Sequence, residues 1–153
     1  GDEPFIEATH LAQLIEVFKN DSSKQVDLAS VMREITNEDD INNPNNVKVV
    51  LDKNSHALYF SRAPIPFPRD EFAQKKIGNE GFYRHIGIYA YRAKFLKHYE
   101  HIGQAKLEDI ERLEQLRILY AGYKIGVVAS LDAPLAGIDT QEDLERVRKL
   151  FFN

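Results

Sequence analysis

The chain contains no cysteine, which removes thiolate catalysis, cysteine zinc sites and disulfides together and fits a reducing, cytoplasmic setting. It has a single methionine, Met32, and opens on Gly1-Asp2-Glu3-Pro4. A start at Met32 would discard a good helix, so we expect the natural N-terminus to lie further upstream. No apolar run approaches the roughly 18 to 20 residues that a membrane span requires, and no signal-peptide pattern opens the chain. Basic residues are in deficit, 20 Lys and Arg against 24 Asp and Glu for a net charge of -4, which argues against a nucleic-acid partner. Gly78, Gly81 and Gly87 are too scattered for a dinucleotide fingerprint or a P-loop. Any nucleotide triphosphate must therefore be held by something this chain does not carry. What remains is 153 residues, 43% hydrophobic and 29% charged, enough to bury the core of an ordinary globular domain.

Periodicity supplies the elements. Ala8, Leu11, Leu14, Ile15 and Phe18 recur at three-and-four spacing and predict a helix over residues 7–18. Residues 26–31 are β-compatible, and residues 37–46, rich in Asn and Asp, read as a loop. Residues 47–51 and 57–61 flank Asp52-Lys53-Asn54-Ser55 and predict a hairpin. Pro64, Pro66 and Pro68 forbid both helix and central strand, so residues 63–70 are expected to be extended and irregular. Residues 85–91, β-branched and aromatic at spacing two, predict a strand, and residues 94–99 a short helix. Residues 106–120 place Leu107, Ile110, Leu113, Leu116 and Tyr120 on one side and acids on the other, which predicts one continuous helix ending at Gly122. Residues 125–129 read as a short buried strand, and Thr140 with Asp143 resembles a capping box that opens a last helix. Strands alternating with helices make the chain α/β, with the hairpin as an antiparallel element. Nothing divides residues 1–153 into separate domains.

Few residues invite a chemical reading on their own. His98 and His101 suggest no third metal ligand and read as exposed, and His10 and His56 are equally plain. His85 stands near the start of a strand, where α/β sheets bind ligands. Asp2 and Asp139 each fall beside an expected helix start. They would either complement the helix dipole or come together in space to hold a hard divalent cation.

Six blocks in order carry a resemblance: Gly1-Asp2-Glu3-Pro4, residues 43–50, residues 57–66, residues 84–92, residues 113–117 and residues 137–144. Together they resemble the CMP-Kdo synthetases, which are 3-deoxy-manno-octulosonate cytidylyltransferases, over essentially all 153 residues. The resemblance implies a nucleotide-diphospho-sugar-transferase-like, Rossmann-like mixed sheet with flanking helices, incomplete at its N-terminal side because the family's CTP-cradling loop lies upstream of Gly1. It implies that Asp2 and Asp139 coordinate Mg²⁺ and are the catalytic carboxylates. It also implies that Arg62, His85, Tyr89, Glu114 and Gln115 line the pocket for Kdo, an anionic eight-carbon sugar acid. In the implied reaction the anomeric hydroxyl of Kdo attacks the α-phosphate of CTP and expels pyrophosphate, for lipopolysaccharide assembly. A homodimer formed through residues 57–68 is implied as well.

The bland readings stand beside these. His85 and Tyr89 share a strand face and could simply pack. Glu114 and Gln115 could be an exposed polar pair, with Arg117 bonded to Glu114 on the surface. For the whole chain, the readings are the rear part of a CTP:Kdo nucleotidyltransferase, inactive alone without its triphosphate loop, or a non-catalytic sugar-acid-binding or dimerisation module.

Overall fold

The structure is a computed structural model that describes residues 7–69, 81–130 and positions 141, 144, 145, 148 and 149. Among the described residues five strands form one mixed sheet: β1 (Leu28–Glu34), β2 (Lys48–Leu51), β3 (Ala57–Ser61), β4 (Tyr83–Tyr91) and β5 (Ile125–Ala129). Their spatial order is β3-β2-β4-β1-β5. Only β1 and β5 run parallel; β1–β4, β2–β3 and β2–β4 are antiparallel. The expected α/β class, mixed sheet and hairpin are all present.

Residues in register across neighbouring strands share a face of the sheet. One face carries Ala29, Val31, Ile86 and Ile88 and is covered by α1 (Ala8–Asn20) through Leu14, Val17 and Phe18. The fit is close. A Cβ on Gly126 would stand 2.7 Å from Cγ1 of Val17, so β5 has glycine where the helix crosses it. His10, read as plain, is instead buried. Its Nδ1 accepts from the Glu7 amide at the start of α1, and its Nε2 lies 3.1 Å from the Ser130 hydroxyl at the end of β5. Asp21, directly after α1, accepts from the amides of Gln25 and Val26 and from Arg92. Burial alone would raise its pKa, but those bonds outweigh it and bring the carboxyl to about 2.

The opposite face carries the larger core: Leu28, Met32, Val49 and Phe60 pack with Phe95, Leu113, Leu116 and Ile118. These last come from α3 (Ala93–Tyr99), from α5 (Gln115–Tyr120) and from the link that joins α4 (Lys106–Glu111) to α5. The 106–120 stretch is thus two short helices rather than one. Arg112 takes a left-handed conformation, φ 54°, and ends α4. The apolar stripe divides accordingly: Leu113 and Leu116 are buried, while Ile110 and Tyr120 are exposed. Glu108, expected on the outer side, is buried and bonded by Arg117, with the Arg117 Nε 2.8 Å from Oε2. Arg117 therefore pairs with Glu108 and not with Glu114.

Residues 37–46 also depart from the expected loop. Asn37 accepts from the Asp40 amide at 2.8 Å and opens α2 (Glu38–Asn42), whose Ile41 is fully buried. The hairpin tip reaches the far side of the sheet: the Val127 amide donates to the Ser55 carbonyl at 2.8 Å. That contact covers the β5 edge, which would otherwise present unpaired backbone. The proposed capping pair Thr140 and Asp143 lies outside the described residues, although positions 141, 144, 145, 148 and 149 are helical.

Candidate functional site

The site candidates gather around an irregularity in β4. Between Ser30 and Val31 the β1–β4 register jumps: Ser30 pairs with Tyr89, and Val31 with Ile86. Gly87 and Ile88 are therefore extra residues on β4, a bulge that locally disrupts the ladder. Ser30, fully buried, meets them. Its hydroxyl lies 2.9 Å from the Ile88 carbonyl and 3.3 Å from that of Ile86, and 2.8 Å from Nε2 of His85.

His85 and Tyr89 project from the same face of β4 on either side of the bulge, with ring centroids 5.4 Å apart. Phe60 packs edge-on against His85 at 4.8 Å. Burial, with the neighbouring Arg84 charge adding to it, pushes the His85 pKa down to about 3, so the imidazole is neutral at physiological pH. The Tyr89 hydroxyl donates to Oε1 of Glu114 at 3.3 Å. Burial first and the Glu114 carboxylate second raise the Tyr89 pKa well above its usual value, so the phenol keeps its proton. Gln115, next to Glu114, is 2% exposed, and no hydrogen bond from a described residue reaches its side-chain amide. His85, Tyr89 and Glu114 thus form one connected group of a neutral base, a phenol and a carboxylate, with the Gln115 amide adjoining it in the chain. Such a group suits a polyhydroxylated ligand better than an apolar one.

The break at Arg112 directs the acids. In one continuous helix Glu111 would share a face with Glu114 and Gln115. The left-handed turn separates them and sends Glu111 to the end of β3. There its carboxylate accepts from the Ser61 hydroxyl at 2.6 Å and from the Arg62 amide at 2.9 Å. Arg62 belongs to this second group. Its guanidinium donates to the carbonyls of Glu111 at 2.8 Å, Pro44 at 2.9 Å and Arg112 at 3.5 Å. It anchors the turn, and among the described residues no acceptor meets the other two of its five N–H donors. Lys48 lies close by and is fully buried, donating to the Asn43 carbonyl at 3.0 Å. Burial and the Arg62 charge, partly countered by Glu111, lower its pKa to about 8.

Asp2 and Asp139, the expected Mg²⁺ ligands, lie outside the described residues. Among the described residues no cluster of three or more His, Asp or Glu could hold a metal, and no helix is long and apolar enough to cross a membrane. Sequence reasoning missed Ser30, Lys48 and Glu111. A Ser within a hydrophobic strand and a Lys opening the Val49-Val50 strand were the available signals.

The comparisons with known proteins agree with the fold. Residues 1–125 match the cytidylyltransferase family model. The chain is 53% identical over 150 residues to a 3-deoxy-manno-octulosonate cytidylyltransferase of Flavobacterium johnsoniae, covering 98% of this chain and 59% of that protein. It is 50% identical over 151 residues to the protein of the same name in Francisella tularensis subsp. holarctica, covering 99% of this chain and 60% of the other. Among solved structures, it superposes on CMP:2-keto-3-deoxy-manno-octonic acid synthetase complexed with CTP with a TM-score of 0.82 at 36% identity, over 97% of this chain and 58% of that one. The chain therefore spans about three fifths of the length of the relatives it matches.

Proposed function

Since this chain belongs to the cytidylyltransferase family, we propose that it forms the sugar-acid half of an enzyme that joins CTP and Kdo into CMP-Kdo with release of pyrophosphate. The observation that carries this reading is the His85–Tyr89–Glu114 group, with the buried Gln115 next to Glu114 in the chain. A neutral imidazole, a phenol, a carboxylate and an amide offer the mixed donors and acceptors that a ring of hydroxyls needs. Arg62 supplies positive charge at the neighbouring end of β3, where its other two N–H donors can meet the Kdo carboxylate.

In the reaction the Kdo anomeric oxygen bonds to the α-phosphorus of CTP, the bond to the pyrophosphate oxygen breaks, and the hydroxyl proton passes to water. The work of the described residues is to bind and orient the sugar so that this oxygen is aligned with the phosphorus, the main demand in such transfers. Mg²⁺, when bound, neutralises phosphate charge; Asp2 and Asp139 are its proposed ligands. A homodimer through residues 57–68 is part of the reading, supported by Leu58 and Phe67, 60% and 65% exposed. A cytoplasmic setting is also part of it.

Calorimetric titration with Kdo, paired with a pyrophosphate-release assay on CTP, Kdo and Mg²⁺, tests the proposal. We expect this chain to bind Kdo and to release no pyrophosphate, and the full-length product of its gene to bind Kdo and to release pyrophosphate. Binding without turnover in the full-length product would instead identify a sugar-acid-binding module. Absence of Kdo binding in that product would overturn the proposal.

A further inference from the structure

The Ser30 contacts determine more than strand geometry. A hydroxyl has one hydrogen to give and two lone pairs. The Ile86 and Ile88 carbonyls, at the bulge and belonging to buried residues, can only accept. Were Ser30 to donate to His85 instead, both carbonyls would lose this donor in the interior, where an unmet polar group is costly. The hydrogen therefore goes to the carbonyls, with Ile88 the nearer, and toward Nε2 of His85 Ser30 acts as acceptor. A nitrogen that donates must carry the proton, which leaves Nδ1 as the lone pair of the ring. No hydrogen bond from a described residue reaches Nδ1.

We propose that Ser30 is a positioning residue that holds His85 as its Nε2–H tautomer, with Nδ1 as the acceptor for a ligand hydroxyl. This deepens the reading given under Proposed function and rests on it for the identity of the ligand. The consequence is selectivity at one point of the pocket. A lone pair there welcomes an O–H donor and repels a carboxylate oxygen, so His85 takes a hydroxyl of the sugar acid and the acid group must lie elsewhere. The low His85 pKa, caused by burial and the Arg84 charge, agrees with a ring that stays neutral while it does this. One β4 bulge thereby orients the ring, through the serine that satisfies its carbonyls.

The test uses the ¹⁵N-labelled full-length product of the gene and a long-range proton–nitrogen correlation spectrum. The expected result is a His85 signal with the proton on Nε2, and Kdo addition moving the Nδ1 resonance while the tautomer stays the same. A proton on Nδ1 in the unmutated protein overturns the proposal without any variant. Ser30→Ala is expected to give a mixed or Nδ1–H tautomer and to raise KM for Kdo about tenfold, the worth of roughly one hydrogen bond, with KM for CTP unchanged. Ser30→Thr, which keeps the hydroxyl, is expected to restore the tautomer. If Ser30→Ala does not fold, the unmutated spectrum and Ser30→Thr decide the matter. A pure Nε2–H signal in folded Ser30→Ala overturns the role of Ser30. If CMP-Kdo forms yet Kdo shifts neither nitrogen, the hydroxyl contact is overturned. If Kdo neither binds nor reacts, the Kdo reading falls and the tautomer measurement alone decides what Ser30 does.

Discussion

Replacing Lys48 by Met tests the electrostatics beside the site. Lys48 is fully buried, and burial together with Arg62 and Arg84 outweighs Glu111 to lower its pKa from 10.5 to about 8. Holding the charge therefore destabilises the fold by roughly 3 kcal/mol at neutral pH. The sign follows from linkage. Below about pH 8 both states carry the proton and the penalty is fully present. Between about 8 and 10.5 the folded state releases the proton first, so stability rises with pH. The methionine variant has a similar volume, lacks this penalty and loses the bond to the Asn43 carbonyl, which offsets about 1.5 to 3 kcal/mol. At pH 7 the variant should lie within about 1.5 kcal/mol of the parent. From pH 7 to 9.5 the parent should gain roughly 2 kcal/mol on the variant. Tyr59 and Tyr91, whose pKa values are raised chiefly by burial, act in both proteins, so the difference between them isolates Lys48. Urea unfolding followed by circular dichroism at four pH values measures it. A gap that stays constant across the range would mean an ordinary lysine pKa and would refute the reasoning.

Asp21→Ala removes acceptors for two backbone amides and Arg92 and should lower stability by about 2 to 3 kcal/mol in urea. Because the Asp21 pKa is depressed to about 2, its contribution is complete above about pH 4 and lost as the pH falls through 2; the difference between parent and variant should shrink over that acid range. Gly126→Ala places a Cβ 2.7 Å from Val17 and should cost about 1 to 3 kcal/mol by forcing α1 from the sheet, with unchanged stability counting against this packing. Tyr89→Phe removes the hydroxyl that reaches Glu114; Kdo affinity in calorimetry should fall several-fold with little change in melting temperature, and unchanged affinity would place the phenol outside the pocket.

The elements were legible where burial was simple. Alternation marked β4, and the three-and-four stripe marked α1, because each presents one apolar face to one neighbour. The 106–120 stretch misled for a related reason. Its apolar residues keep helical spacing across Arg112, so periodicity reports a single helix, although the backbone turns left-handed there. Arg is an ordinary helix former, and nothing local marks the turn. The turn is held from outside: Arg62 donates to the Glu111 and Arg112 carbonyls, and Glu111 reaches back to Ser61 and Arg62. Those partners are about 50 residues away, a distance that no window of periodicity covers. The site residues were named by resemblance, and their environment needed the fold. His10 and Gln115 looked unremarkable as letters, yet both are buried.

The same long-range device connects the two polar groups of the site. Arg62 holds the break at Arg112, and the break separates Glu111 from Glu114 and Gln115. Without it the two acids would share one helical face and compete for one surface. With it, Glu111 joins Arg62 and Arg84 as the charged groups whose fields act on Lys48, while Glu114 remains with a phenol and a neutral imidazole. One side of the site is therefore rich in positive charge, and the other offers uncharged donors and acceptors around a single carboxylate. A sugar acid has that same division, one anionic end and a hydroxylated body. Under the proposed function the orientation would follow from the division: the acid end with Arg62, and the hydroxyls with His85, Tyr89 and Gln115.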